Sequence, residues 1–224
     1  MAAAPTPADR QTKLLAAAAA LALPLDTTQA DLLLAYMDLL QRWNKVYNLT
    51  ALRDPGEMLG HHLIDCMAVL PALQRWLAAA RPPSQRMLDV GSGGGLPGVV
   101  LAALQPAWQV DCVDTVVKKV SFIRQVAAEL RLPNLQGLHS RVEVLQPPPG
   151  GYAVVTSRAF ASLADFTALT RHLLADGGVW MAMKGKLPAD EQAALPADVE
   201  VFHVEQLQVP GLDAQRCLVW MRPR

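Results

Sequence analysis

The first part of the chain has the hydrophobic spacing of amphipathic helices. Between residues 33 and 47, large apolar side chains recur every three or four positions, and polar side chains fill the positions between them. This spacing places the apolar residues on one helix face, and Thr28 followed by Asp31 resembles a capping box at its start. A second helix is predicted from Asp54, because an aspartate cap, a proline and the acid Glu57 follow in helix-starting order.

A break at Arg81-Pro82-Pro83-Ser84 ends this helical part, because no helix easily crosses adjacent prolines. Beyond it, we predict strands at 87–90, 108–113, 135–139, 152–156 and 178–183, helices at 98–104, 116–130 and 163–174, and a closing hairpin-like pair at 199–209 and 216–221. Strands that alternate with helices are typical of a parallel sheet covered on both faces. We therefore predict an α/β fold with a helical extension over 1–83 and a core over 84–224.

The segment between the first predicted strand and the next helix is the most informative. It reads Leu88-Asp89-Val90-Gly91-Ser92-Gly93-Gly94-Gly95-Leu96-Pro97-Gly98. Glycines allow positive φ and the close approach of a ligand, and ligands of parallel sheets bind at the carboxyl ends of the strands. The segment satisfies GxGxxG, the dinucleotide motif, with Gly93 as its first glycine, and it also reads as an acid, Asp89, followed by GxGxG.

Charge favours the second motif. A dinucleotide would bring its pyrophosphate to the turn, where the carboxylate of Asp89 would repel it. S-adenosylmethionine instead brings a sulfonium and an ammonium group, so we favour it and keep NAD as the alternative. Asp114 ends the second predicted strand 23 residues after Gly91, near the interval of about 20 at which a carboxylate meets ribose hydroxyls. Capping of the following helix is the structural alternative for Asp114.

Several segments along the chain match the motifs of a known family in order and spacing. They are Trp43–Thr50, Arg53–Pro55, His62–Asp65, Leu88–Gly98, Lys118-Lys119 with Phe122–Val126, Ser157–Leu163 and Met183–Gly185. On these segments the chain resembles the ribosomal RNA small subunit methyltransferase G family, also called the glucose-inhibited division protein B family. The match runs from about Ala30 to the C-terminus, and the string SRAFAS that starts at Ser157 is its most specific part.

This resemblance implies a Rossmann-like class I S-adenosylmethionine-dependent methyltransferase core with an N-terminal helical extension. It also implies methylation of N7 of one guanine in 16S rRNA, near the decoding site of the small ribosomal subunit. By position, it assigns cofactor contacts to Gly91, Leu96, Val142, Glu143 and Arg158. The glycine turn and the charges described above add Asp89, Gly93 and Asp114 to this predicted cofactor site.

Methylation of guanine N7 requires few catalytic groups from the protein. Guanine N7 carries a lone pair and no proton, so its methylation needs alignment rather than a general base. We therefore name no catalytic acid or base, and we interpret His62 as a core histidine. The cysteines, Cys66, Cys112 and Cys217, stand in apolar contexts without CxxC spacing, so we predict neither a metal site nor a disulfide framework.

The total charge of zero is unfavourable for RNA binding, but the charges are unevenly distributed along the chain. The chain has 20 basic and 20 acidic side chains and is 52% hydrophobic, which excludes a disordered chain and a polycation. Residues 118–186, however, hold nine basic against four acidic side chains. We predict that a basic rim contacts RNA phosphates; a solvated face with scattered ion pairs is the alternative. The predicted RNA contacts are Lys118, Lys119, Arg124, Lys184 and Lys186, beside Arg158.

The remaining expectations concern location and partners. No run of 18 or more apolar residues is present, so we expect no membrane span. We interpret the Ala-rich segment Leu14–Leu23 as a short helix rather than a signal peptide. Together with the cysteine usage, this predicts a cytoplasmic protein. We expect a monomer that acts on 16S rRNA or the 30S subunit; a small-molecule methyltransferase and a non-catalytic ribosome-assembly factor are the alternatives.

Overall fold

The computed structural model describes residues 6–186 and 189–224. The helical part contains α1 (Pro7–Ala20), α2 (Thr27–Tyr47), α3 (Pro55–Met58), a π-helical turn (Leu59–Ile64), α4 (Asp65–Met67) and α5 (Leu70–Ala80). The second part contains β1 (Arg86–Val90), α6 (Gly98–Leu104), β2 (Gln109–Asp114), α7 (Val117–Glu129), β3 (Leu135–His139), a 3₁₀ turn (Val142–Val144), β4 (Tyr152–Arg158), α8 (Leu163–Thr170), a 3₁₀ turn (Arg171–Leu173), β5 (Leu174–Lys184), α9 (Ala189–Ala193), β6 (Val199–Leu207) and β7 (Arg216–Pro223).

The helix starts follow from their caps, with one correction. Asp54 accepts a hydrogen bond from the backbone N–H of Glu57 at 2.9 Å, as its sequence predicts. Helix α2 begins earlier than the predicted capping box at Thr28 implies. Asp26 accepts from the N–H of Gln29 at 2.7 Å, and the Gln29 side chain accepts from the N–H of Asp26 at 3.2 Å. This reciprocal pair satisfies two otherwise free donors, so the helix starts there.

The Ala-rich N-terminal segment is helical as far as Ala20, where it forms the second half of α1. A capping box between Thr6 and Asp9 starts it, and Leu14, Ala17 and Ala18 are buried where it packs on α2. Alanine at the contact lets two helices approach closely, and it has the highest helix propensity.

The sheet has the order β3-β2-β1-β4-β5-β7-β6. Strands β1 to β5 are parallel, and β7 is antiparallel to both of its neighbours, β5 and β6. The order reverses between β1 and β4, and such a reversal opens a crevice at the carboxyl ends of the strands. The predicted α/β fold is thus confirmed. Strand β5 begins at Leu174, before the predicted Gly178, because Leu174 pairs with Tyr152 ahead of a β-bulge.

The helical extension and one face of the sheet share a hydrophobic core. One cluster of buried side chains includes Leu40 and Leu63 from the extension together with Leu101, Ile123 and Met181 from the second part. The burial of such apolar surface contributes about 25 cal/mol per Å². The two parts are therefore packed together across residue 83, and their division at that residue stays a prediction.

One helical span, Pro55–Ala80, is long and apolar enough to cross a membrane by length and composition. Of its most apolar 18-residue window, 56% is buried inside the protein. A core helix passes the same test, and packing against α1, α2 and α6 accounts for the apolar side chains of this span.

Candidate functional site

The turn between β1 and α6 takes the left-handed conformations that its glycines allow. Gly91, Gly93 and Gly95 have φ of +66°, +57° and +90°, where L side chains are strained. A Cβ on Gly91 would lie 2.8 Å from the ring of Phe160, whereas a Cβ on Gly93 would meet nothing closer than 4.0 Å. The turn is therefore packed at Gly91 and open at Gly93, where its backbone can face a ligand.

Asp89 lies beneath this turn rather than on its surface. Its carboxylate is fully buried, and Oδ2 accepts a hydrogen bond from the N–H of Gly98 at 2.8 Å. Oδ1 has no hydrogen-bond partner among the described residues. Burial raises the pKa of Asp89 to about 7. Asp89 thus holds the start of α6, and its attraction for a cationic cofactor, which stays a prediction, would act from below the turn.

Asp114 ties the glycine turn to the end of β2. Its Oδ2 accepts from the N–H of Gly93 at 3.0 Å, and its Oδ1 accepts from the N–H of Val116 at 2.9 Å. The second bond supports the start of α7, so the structural alternative for this residue is realised. Oδ2 also lies 3.5 Å from Lys119 Nζ, whereas Oδ1 has a second lone pair that can accept from a ligand in the cavity that Asp114 lines.

A cavity of about 550 Å³ opens on this side of the turn. The predicted cofactor residues on its wall are Gly91, Asp114, Val142 and Glu143. Val142 is buried and offers an apolar surface, whereas Glu143 is exposed. Arg141 donates to Glu143 at 2.8 Å, and this bond lowers the pKa of the Glu143 carboxyl. We call this space the nucleoside cavity.

A second cavity, of about 430 Å³, adjoins the first at Gly91. We call it the acceptor cavity. Its wall includes the predicted residues Gly91, Gly93, Leu96, Arg158 and Lys184, and from the helical extension Leu40, Leu49, Thr50, Leu52, His61, His62 and Asp65. The structure therefore brings residues from both parts of the chain into one site at the carboxyl edge of the sheet.

A buried acid joins two arginines in the acceptor cavity. Asp65 is 2% exposed. Its Oδ1 accepts from Arg216 Nε at 2.8 Å, and its Oδ2 lies 3.4 Å from Arg158 Nη1, which also donates to the His61 carbonyl at 2.9 Å. Sequence reasoning missed Asp65 and Arg216, because their bond joins positions 151 residues apart and no local pattern announces it.

His62 is buried as predicted, but it also lines the acceptor cavity. Its Nε2 lies 2.9 Å from Thr50 Oγ1, and its Nδ1 has no hydrogen-bond partner among the described residues. Burial and, to a smaller extent, the nearby charge of Arg158 together lower the pKa of His62 to about 4. The imidazole is therefore neutral near pH 7. The interpretation of His62 as a core histidine is incomplete, because the side chain also forms part of the wall of the acceptor cavity.

Two of the residues predicted to contact RNA, Lys119 and Arg124, have partners inside the protein instead of forming part of an exposed basic rim. Lys119 Nζ lies 3.5 Å from Asp114 Oδ2, and Lys119 lines the nucleoside cavity. Arg124 Nε donates to the Gly137 carbonyl at 3.0 Å. Arg124 also lies seven residues beyond the start of α7, ~10 Å from the carboxyl edge at 1.5 Å per residue. The structure therefore does not bring Arg124 to either cavity.

The other three lysines are closer to the predicted arrangement. Lys184 lines the acceptor cavity, where its Nζ donates to Glu191 at 2.8 Å. Lys118 is exposed, with Nζ 5.6 Å from the ring centroid of Tyr47, and Lys186 is exposed just after β5. The predicted rim is thus divided between paired cations inside the cavities and exposed ones outside, and its contact with RNA stays a prediction.

The residues present fit S-adenosylmethionine. The open backbone at Gly93 and the carboxylate of Asp114 suit a nucleoside with free hydroxyls, and the neighbouring acceptor cavity gives a second reactant access to the same turn. Among residues 6–186 and 189–224, no group of three or more His, Cys, Asp or Glu side chains could hold a metal ion.

Solved structures with this fold include S-adenosylmethionine-dependent methyltransferases. One from Leishmania major has a TM-score of 0.58 at 15% identity and covers 84% of this chain and 82% of its own. TrmN from Thermus thermophilus has a TM-score of 0.53 at 20% identity, over 74% of this chain and 53% of that chain. These likenesses show the fold, which together with the glycine turn is that of a class I methyltransferase.

The family model GidB, rRNA small subunit methyltransferase G, matches residues 29–219. The ribosomal RNA small subunit methyltransferase G of Leptothrix cholodnii is 65% identical over 216 residues, which is 96% of each chain. That of Acidovorax sp. strain JS42 is 60% identical over 209 residues, 91% of each chain. The chain therefore belongs to the rRNA small subunit methyltransferase G family, as its motifs predict, and its cofactor is S-adenosylmethionine.

Proposed function

We propose that this chain transfers a methyl group from S-adenosylmethionine to N7 of one guanine in 16S rRNA, near the decoding site of the small ribosomal subunit. The observation that carries the proposal is the junction of two cavities at Gly91. One has the carboxylate of Asp114 on its wall and suits a nucleoside, and the other has arginines on its wall and suits an anionic acceptor. Identity of 65% to a relative named ribosomal RNA small subunit methyltransferase G supports methyl transfer to rRNA.

On the cofactor side, the protein holds and orients. When bound, S-adenosylmethionine supplies an electrophilic methyl group. Asp114 would accept hydrogen bonds from hydroxyls of the nucleoside, and Val142 would offer an apolar surface to its base. Leu96, on the wall of the acceptor cavity, would exclude water from the methyl group. Such positioning replaces a bimolecular encounter by a fixed approach.

On the acceptor side, proton transfer is not required. N7 has no proton to remove, so the reaction needs no general base. The two side chains of the acceptor cavity that could act as one are poorly suited to that role. His62 has its pKa lowered to about 4, so it is a weak base, and Asp65 is engaged by Arg158 and Arg216. We infer that the acceptor cavity contributes alignment and charge.

The charge in the acceptor cavity favours a phosphodiester. Asp65 compensates only one of the two guanidinium groups that it bridges, and Lys184 is already paired with Glu191. Arg216 begins β7, three strands from β1 in the sheet order, ~14 Å from the glycine turn at about 4.8 Å per strand. Arg158 is one strand from β1. We therefore assign Arg158 to the cofactor side and Arg216 to the RNA backbone.

Replacement of Arg216 by glutamine tests this assignment. We expect the KM for the rRNA substrate to rise about 10- to 100-fold, because a charged hydrogen bond to phosphate is lost. The dissociation constant of S-adenosylmethionine, measured by calorimetry, should stay within about twofold of the native value. Loss of cofactor binding to the same extent as rRNA binding would instead place Arg216 on the cofactor side.

Charge reversal at an exposed lysine tests the outer part of the rim. Lys186→Glu should weaken rRNA binding severalfold and reduce its salt dependence, because one phosphate contact is removed, while cofactor binding stays unchanged. Lys13→Glu is the matched control: Lys13 is also exposed, but it lies on α1. Filter-binding titrations over a range of salt give both slopes, and equal effects of the two substitutions would contradict a local rim.

The proposed activity itself is tested with cellular rRNA. We expect 7-methylguanosine at one position of 16S rRNA in cells that carry the gene, and its loss when the gene is deleted. Purified protein should label 30S subunits or 16S rRNA from labelled S-adenosylmethionine. Preferential labelling of small molecules, or cofactor binding without methyl transfer to any rRNA, would support the small-molecule enzyme or the assembly factor instead.

The finer features of the proposal are the particle, the assembly state and the location. We propose that a monomer acts in the cytoplasm on the 30S subunit. Parallel labelling of naked 16S rRNA and of assembled 30S subunits distinguishes the substrates, and light scattering at assay concentration gives the mass. The cysteines, all buried and free, support a reducing compartment.

A further inference from the structure

Helix α2 contacts the glycine turn through the side chain of Tyr36. The hydroxyl of Tyr36 donates to the Gly94 carbonyl at 2.7 Å, and the Tyr36 side chain is fully buried. One turn further along the helix, Leu40 packs on the same glycine: a Cβ built on Gly94 would lie 3.0 Å from Leu40 Cδ1. The extension therefore contacts the glycine turn by a directional bond and by packing.

The same helix face also holds a wall of the acceptor cavity. Tyr36, Leu40 and Asn44 are spaced by four residues, so they lie along one face. Asn44 is 5% exposed; its Nδ2 donates to the Leu52 carbonyl at 3.1 Å, and its Oδ1 accepts from the N–H of Thr50 at 2.9 Å. Thr50 and Leu52 line the acceptor cavity. This one helix face therefore contacts the glycine turn at one end and the loop that carries Thr50 and Leu52 at the other.

We propose that Tyr36 is a positioning residue, which fixes the backbone of the glycine turn for S-adenosylmethionine. Glycines are the most flexible residues, and Gly94 stands between Gly93 and Gly95, both with positive φ. A turn of this kind loses much conformational freedom when it orders around a ligand. The bond from Tyr36 orders the turn beforehand, so less of the binding free energy is spent on it.

Tyr36 does not line the nucleoside or the acceptor cavity. Its effect on the cofactor therefore passes through the Gly94 carbonyl. Without the hydroxyl, this carbonyl loses its donor in a buried position, and the turn can relax away from the geometry that binds the cofactor. This inference rests on the proposed function to the extent that the glycine turn binds S-adenosylmethionine.

Tyr36→Phe tests the proposal, because it removes only the hydroxyl. Tyr152→Phe is the matched control: Tyr152 is 1% exposed and donates to Asp111 at 2.8 Å, but it lies at the amino end of β4, away from both cavities. Calorimetry with S-adenosylmethionine gives the dissociation constant, thermal unfolding gives the stability, and steady-state kinetics separates the KM for cofactor from the KM for rRNA.

We expect Tyr36→Phe to raise the dissociation constant of S-adenosylmethionine about tenfold, with the KM for rRNA within about twofold of native. Tyr152→Phe should lower the melting temperature and leave the dissociation constant unchanged. The proposal is overturned if Tyr36→Phe lowers the melting temperature as Tyr152→Phe does while cofactor affinity stays native. Native protein that does not bind S-adenosylmethionine would instead refute the proposed function.

Discussion

Asp65→Ala is expected to lower the free energy of unfolding by about 3–5 kcal/mol, the range measured when one partner is removed from a buried ion pair. The substitution leaves the guanidinium groups of Arg158 and Arg216 facing each other without their shared carboxylate. It also removes a connection between the helical extension, which carries Asp65, and strands β4 and β7. Urea unfolding followed by circular dichroism measures the loss.

An exposed ion pair supplies the control for this prediction. Glu200 bonds Arg222 at 2.8 Å with both side chains accessible to solvent, and Glu200→Ala should cost less than about 1 kcal/mol. Addition of Arg216→Met to Asp65→Ala should recover part of the lost stability, because one uncompensated charge is removed. If Asp65→Ala costs no more than Glu200→Ala, the three-residue bridge contributes little to stability.

The Asp65 bridge shows which part of the site the sequence could not predict. The glycine turn and Asp114 are predictable because turn chemistry and the spacing of a βα unit are local properties. Arg216 meets Asp65 only after the strand order places β7 beside β5. Tyr36 is missed for the same reason, because its partner Gly94 is 58 residues away. Local periodicity carries no information about such pairs.

Charge counts along the sequence identify a basic region, but they do not show which of its side chains are free to bind RNA. The basic excess in residues 118–186 includes Lys119 and Lys184, each with a carboxylate partner, and Arg124, bonded to a backbone carbonyl. A sequence shows that a cation is present, but its partner depends on the fold. The helix start has a similar ambiguity, because Asp26 and Thr28 both suit a cap and only the backbone geometry selects Asp26.

Asp89 illustrates a third case, in which the motif predicts the position but not the environment. The motif predicts an acid that faces a cationic ligand, whereas the structure buries Asp89 against the N–H of Gly98. Gly98 has no room for a side chain, since a Cβ there would lie 2.2 Å from Cys112 Sγ. Charge and packing at Asp89 can be separated by experiment, because Asn has nearly the same shape and does not titrate.

Asp89→Asn is expected to change the pH dependence of stability. The pKa of Asp89 is raised to about 7 in the folded protein by burial, against about 3.9 in an unfolded chain. Between these values the native state binds more protons than the unfolded state, so the free energy of unfolding falls as pH rises. This contribution is complete below about pH 4 and is lost above about pH 7, on the order of 4 kcal/mol in total.

The variant has no such titration, so its stability relative to native protein should increase between pH 4 and pH 7. Urea unfolding at several pH values measures this difference, and the slope is the test because the amide adds a constant term of its own. Parallel slopes for the two proteins would show that Asp89 stays ionised in the native state, as an unburied carboxylate does.

Cofactor binding distinguishes attraction from scaffolding at the same residue. If the carboxylate attracts the positively charged cofactor through the turn, Asp89→Asn should weaken S-adenosylmethionine more than S-adenosylhomocysteine, which lacks the sulfonium charge. Native affinity for S-adenosylmethionine should also rise with pH through about 7, where burial places the pKa of Asp89, relative to the variant at each pH. Equal losses for both ligands would mean that Asp89 acts only through its bond to Gly98. The glycine turn would then select its ligand by shape, and the charge interpretation of Asp89 would be wrong.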